Sequence, residues 1–244
     1  SPSHLFMTDI RTDAGGLFGI PQRLHALVSY GEGPHMTAFA VLGFALAAAF
    51  YGLRAGHRRA LGLAALLSAL VVANNFYGAT ALAMTFPVLV WAIWVTSGDR
   101  RVFVRAAAIA LLAYGLTAYW LAPSYLQVTL RNMQLVSEPG NRWSIWVALA
   151  AVLIYCAITW RLSRGRPERA WTTFVAGFAA FMTLNVLGQY YFNFRVMGEP
   201  GRMIPELDLA LVLVGVELLR RLWNWKPRRL PRWAPVTAAL LLAV

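Results

Sequence analysis

The most informative set of ionisable residues, of both signs, lies between Gln189 and Asp208: Arg195, Glu199, Arg202, Glu206 and Asp208, with Tyr191 among the flanking aromatics. Two arginines set among aromatic rings suit a phosphate, which a guanidinium grips by paired hydrogen bonds. Gly198, Pro200, Gly201 and Pro205 interrupt any helix here, so the backbone must form a shaped loop. Glu206 and Asp208 open the apolar run that follows, where acids suit a helix N-terminus. The same ions could instead pair with one another and do no more than fix the loop.

Four smaller sets accompany that loop. Asn74, Asn75, Phe76, Tyr77 and Gly78 form a tight connection between two apolar runs. The amides and Tyr77 can hydrogen-bond a substrate, although Asn and Gly are also ordinary turn formers. Glu32 and His35 flank Gly33-Pro34, and a histidine beside an acid can transfer a proton. Asp9 and Asp13 are four apart, so on a helix they share a face. Two such carboxylates can hold a divalent metal, or one can act as a base, or both can simply be solvated. Arg131 follows an aromatic run end, Tyr119 to Tyr125, and suits a lipid headgroup.

The elements that must position these residues are apolar. Runs at about 36–53, 60–75, 78–96, 104–121, 143–160, 171–188 and 207–222 are each close to the roughly 17–25 residues of a membrane crossing. Between Pro21 and Tyr30, Leu24, Leu27 and Val28 share a face behind a proline suited to a first helical turn. That segment predicts a helix lying on the membrane surface. Leu126, Leu130 and Met133 predict a second one over about 124–135. These two helices are expected to flank a groove wide enough for a lipid tail.

Composition agrees. Of 244 residues, 59% are hydrophobic and 13% charged. A soluble domain has roughly 25% charge. The formal charge of +12 suggests a nucleic-acid binder until its placement is read. Sixteen basic residues follow the first, third, fifth and seventh runs, against six on the alternate side. Seven of the ten acids lie on that alternate side. This alternation predicts an arginine-rich cytoplasmic face and long extracytoplasmic loops that carry the chemistry. Anionic lipid headgroups then account for the charge, and nucleic acid is not needed. One cysteine, Cys156, excludes an intramolecular disulfide.

The fold expected is an all-α polytopic transmembrane bundle with short interfacial helices, one domain over residues 1–244. Residues 1–35 form an extracytoplasmic segment with its surface helix, and about seven spans fill 36–222. The chain opens on Ser1, and its last apolar run, 233–244, is too short to cross. It therefore reads as a fragment of a longer protein with a truncated final span. Phosphate-cradling Gly-Lys-Ser/Thr loops, His-Glu-x-x-His and Gly-x-Ser-x-Gly are absent from the sequence.

Asn74 to Gly78, the Tyr119-Trp-Leu-Ala-Pro123 run end and the Arg195, Gly198-Glu-Pro-x-Arg202, Pro205-Glu206 loop resemble bacterial membrane proteins of the glycosyltransferase C superfamily. The likeness is nearest to the group labelled 6-pyruvoyl-tetrahydropterin-synthase-related membrane proteins. It implies transfer of a sugar from a polyprenyl-phosphate carrier at the outer face of a bacterial cytoplasmic membrane, in cell-envelope assembly. It also implies a catalytic acid in the first outside loop, which maps onto Asp9 and Asp13, with Arg195 and Arg202 holding the carrier phosphate. A divalent metal is a possible cofactor of such a site. Two other classes stand beside it: a carrier or flippase for lipid-linked precursors, and a non-catalytic membrane subunit.

Overall fold

The computed structural model describes residues 1–29, 31–119, 121–136, 143–194 and 197–224. Arg195, Arg142 and the apolar run from Trp233 to Val244 lie outside the described residues. The described chain is an all-α bundle. Two short helices, α1 (Thr8–Asp13) and α2 (Gln22–Val28), precede seven long ones and one amphipathic helix. The long helices are α3 (Gly33–Ala55), α4 (Arg58–Asn74), α5 (Phe76–Ser97), α6 (Arg101–Thr117), α8 (Ser144–Ser163), α9 (Ala170–Phe192) and α10 (Ile204–Asn224). Each coincides within a few residues with one of the seven apolar runs. The amphipathic helix α7 (Pro123–Val136) occupies the segment expected for a second surface helix. At 7 and 14 residues, α2 and α7 are both shorter than a crossing requires.

Among the described residues, four helices are long and apolar enough to cross a membrane: α3, α5, α8, and α9 with its lead-in from Pro167. This is a multi-pass membrane protein. The other long helices fall short for visible reasons. α4 and α6 have 17 residues each, and α10 carries Glu206, Asp208, Glu217, Arg220 and Arg221.

Local sequence sets the helix ends. Asn75 caps α5, its side-chain oxygen accepting the Tyr77 N–H at 2.6 Å. Gly56 and Gly98 close α3 and α5 in the left-handed conformation, both at φ 72°. Asn193 does the same for α9 at φ 51°. The core is built from Leu42, Leu46 and Leu53 of α3, Leu89 and Ile93 of α5, Phe174, Phe178 and Met182 of α9, and Leu207 of α10. α3 packs most extensively on α4, and α9 bridges α5 and α10. α8 stands apart: few of its residues are buried, and Ile145, Trp146, Leu153 and Ile154 face outward.

The helices alternate in direction, which gathers unlike charges at opposite ends. At one end, Arg105 donates to the Leu53 carbonyl at 2.6 Å and pairs with Asp99 at 3.3 Å. Also there, Glu217 binds Arg220 and Arg221 at 2.8 and 3.0 Å and accepts from Thr172 at 2.6 Å. At that arginine-rich end, Arg105, Arg220 and Arg221 are closed into local pairs with Asp99 and Glu217. The opposite end holds the starts of α3, α5 and α10 and the finish of α9.

Candidate functional site

Three chain segments far apart in sequence meet at that opposite end. The N-cap and first turn of α3 supply Glu32 and His35. The start of α5 supplies Asn75 and Tyr77. The turn before α10, with a short 3-10 helix at Pro200–Met203, supplies Glu199 and Arg202, and the first turn of α10 supplies Glu206.

His35 is the centre of the arrangement. Its side chain is fully buried, with Nδ1 2.9 Å from Glu32 Oε2 and Nε2 2.9 Å from Glu206 Oε1. Glu206 is also fully buried, and its second oxygen, Oε2, has no hydrogen-bond partner. Above this layer, Arg202 donates to Glu32 and pairs with Glu199 at 3.4 Å. The Tyr77 hydroxyl donates to Glu199 at 3.0 Å. The Arg202 guanidinium lies 5.2 Å from the Tyr77 ring centre, and that ring is 5.6 Å from the His35 ring. Partial burial alone would lower the Arg202 pKa; Tyr77, Glu32 and Glu199 outweigh it and hold it above the ordinary arginine value. The outer layer is therefore a half-exposed cation gripped by acids, and the inner layer is a dry acid–imidazole–acid triad.

Of the residues singled out in the sequence, His35, Asn75, Tyr77, Glu199, Arg202 and Glu206 come together here. Asp208, two residues beyond Glu206 and so on the far face of α10, turns elsewhere: it accepts from the Ser3 N–H at 2.6 Å and from the Ser1 and Ser3 hydroxyls. Tyr191 donates to the Phe6 carbonyl. Asp9 accepts from Tyr190 at 3.2 Å and is exposed, as is Asp13 at the end of α1. Asp208, Tyr191 and the Asp9–Tyr190 contact tie the N-terminal segment to α9 and α10. Arg131 is exposed on α7. Among the described residues no group of three or more His, Cys, Asp or Glu is arranged to hold a metal ion.

Two residues matter more than their sequence context suggested. Glu32 joins both layers, bonding His35 with one oxygen and Arg202 with the other. Asn185, fully buried in α9, accepts the Met197 N–H and donates to the Met197 carbonyl, each at 3.1 Å. It thereby holds the loop that carries Glu199 and Arg202. The available signal was a single amide in a long apolar run, which must find partners wherever it is buried.

An apolar cavity of about 290 Å³ opens between α4, α5 and α6, with Val72, Leu82, Phe86 and Ile109 among its walls. Leu121, just ahead of α7, borders it. α2 is not part of it and packs on α3 and α10 instead. Comparison with protein-family models, with curated proteins and with solved structures gives no match.

Proposed function

We propose that this chain is the membrane-embedded part of a transferase that moves a sugar from a polyprenyl-phosphate carrier at the end where Glu32, Tyr77 and Arg202 meet. The observation that carries the reading is Arg202 itself: a half-exposed guanidinium stacked on Tyr77 at the mouth of a buried acid–imidazole–acid layer. A phosphate near the membrane interface is poorly hydrated, so charge-assisted hydrogen bonds to it count for more than in bulk water. The carrier phosphate would displace Glu199 or Glu32 from Arg202, and the apolar cavity beside α5 offers room for hydrocarbon. The arginine-rich end would then face the cytoplasm of a bacterial cell and the site would open on the other side. The reading of the donor as a polyprenyl-phosphate-linked sugar rests on the motif likeness.

A second reading has its own observation. Both Glu32 and Glu199 already pair with Arg202, so the cluster could serve only to clasp the loop to α3 and α5. Binding of a polyprenyl phosphate to the purified full-length protein separates the two. Under the transferase reading, Arg202→Ala weakens binding by about 1.5–3 kcal/mol, a charged hydrogen bond's worth. Arg202→Lys also weakens it, because an ammonium lacks the planar fork. Normal binding with a lowered melting temperature in both variants supports the clasp.

A further inference from the structure

We propose that Glu32, His35 and Glu206 form a proton relay that carries an exchangeable proton from the mouth of the site to a fully buried carboxyl. The relay stands on geometry and goes beyond sugar transfer; it would serve any chemistry or transport at this end.

The contacts themselves count the protons. A neutral imidazole has one N–H and one bare nitrogen. A bare nitrogen and a carboxylate oxygen are both acceptors, so they cannot bond each other. Yet both His35 nitrogens lie 2.9 Å from glutamate oxygens. The triad must hold one hydrogen more than a neutral ring and two carboxylates supply. That hydrogen sits either on the ring, as imidazolium, or on a carboxyl. The two forms differ only by a shift along an existing hydrogen bond.

The ends of the triad are unequal in the way a relay needs. Glu32 is slightly exposed, at 13%, and its outer oxygen is covered by Arg202. Glu206 is fully buried, and Oε2 is an open acceptor in a place where polar atoms are normally satisfied. When Arg202 moves aside, a hydroxyl or hydronium at the mouth can give a proton to Glu32. The ring then passes its Nε2 hydrogen to Glu206 and keeps the one on Nδ1. Two carboxylic acids and a neutral ring result, and the triad's charge goes from −1 to zero. Only bonds to hydrogen change. The groups facing the ring are Glu32 before α3, Glu206 on α10 and Tyr77 on α5, with Arg202 and Glu199 one contact further out.

Infrared difference spectra of the whole protein in lipid nanodiscs test this without any sugar substrate. The titration runs from about pH 4 to 8, bracketing ordinary glutamate and histidine values. A carboxylic-acid band should grow on acidification, shift in heavy water, and be lost in Glu206→Gln. Spectra of a folded Glu206→Gln variant that superimpose on the wild type would overturn the relay. Nitrogen NMR of the wild type needs no variant. In the ring whose two nitrogens both lie against labelled glutamate carboxyls, Nδ1 should carry a hydrogen throughout and Nε2 should be bare at the acid end of the range. An Nε2 that still holds its hydrogen at the acid end would equally overturn it. Transferase assays can fail while the relay titrates, and the reverse, so the two ideas fall separately.

Discussion

His35 shows how one side chain can decide the stability of its neighbours. It stands between two carboxylates that are largely or fully removed from water. Removing one partner of a buried ionic set leaves uncompensated charge, which costs about 3–5 kcal/mol. His35→Ala should therefore destabilise the protein by about that much, measured by denaturation in detergent. Adding Glu206→Gln to it should recover part of the loss, because the second change removes one of the stranded charges. Full additivity of the two losses would argue that the residues do not interact. The sequence named His35, Tyr77, Arg202 and Glu206 as separate suspects, because each is polar and lies next to an apolar run. It could not assemble them. Their meeting depends on how α3, α5 and α10 pack, and no local spacing encodes that. It likewise ranked Asp208 with Glu206, although two positions of rotation send Asp208 to the N-terminal serines instead.

At the level of helices, the apolar runs were legible almost to their ends, because glycine or asparagine marks where α3, α4, α5 and α9 stop. What periodicity did not reveal was which helices approach most closely. Gly78, next to Tyr77, is such a place: a Cβ there would lie 2.5 Å from the Ala38 side chain of α3. Ala38 has no freedom to yield, so the helices themselves must separate. Gly78→Ala should cost about 1–3 kcal/mol, the usual range for overpacking. It should also widen the gap between His35 and Tyr77. Thermal unfolding measures the first effect, and weaker shielding of the His35 ring protons by Tyr77 would report the second. An unchanged melting temperature would mean that α3 and α5 are looser than their packing implies.

Considered as a whole, the molecule separates its charges along its length: most of its arginines at one end, the acid–imidazole layer at the other. If that polarity sets orientation in the membrane, cysteines placed at the two ends will label differently. In a Cys156→Ser background, Thr12→Cys should react with an impermeant thiol reagent applied to intact cells, and Arg164→Cys should not. Both positions are exposed. The reverse pattern would invert the proposed orientation and move the site to the cytoplasmic side. Charge alternation was readable from the sequence because loop arginines need no tertiary structure to be counted. The loose seating of α8 was not, since an apolar helix looks the same whether it faces lipid or protein.

That loosely seated helix is fastened at its arginine-rich end by a small knot of indoles. Trp91 donates to Thr159 of α8 at 2.9 Å. Trp94 lies 5.1 Å from Trp91 and 5.8 Å from Trp160, and Arg164 sits 4.4 Å above Trp160. Indole emission responds to a nearby cation, to a hydrogen bond on its nitrogen and to a neighbouring ring. The protein thus carries a native optical gauge of whether α8 is docked. A fluorescence change that precedes global melting, and disappears in Trp160→Phe, would time the departure of that one helix without any attached dye.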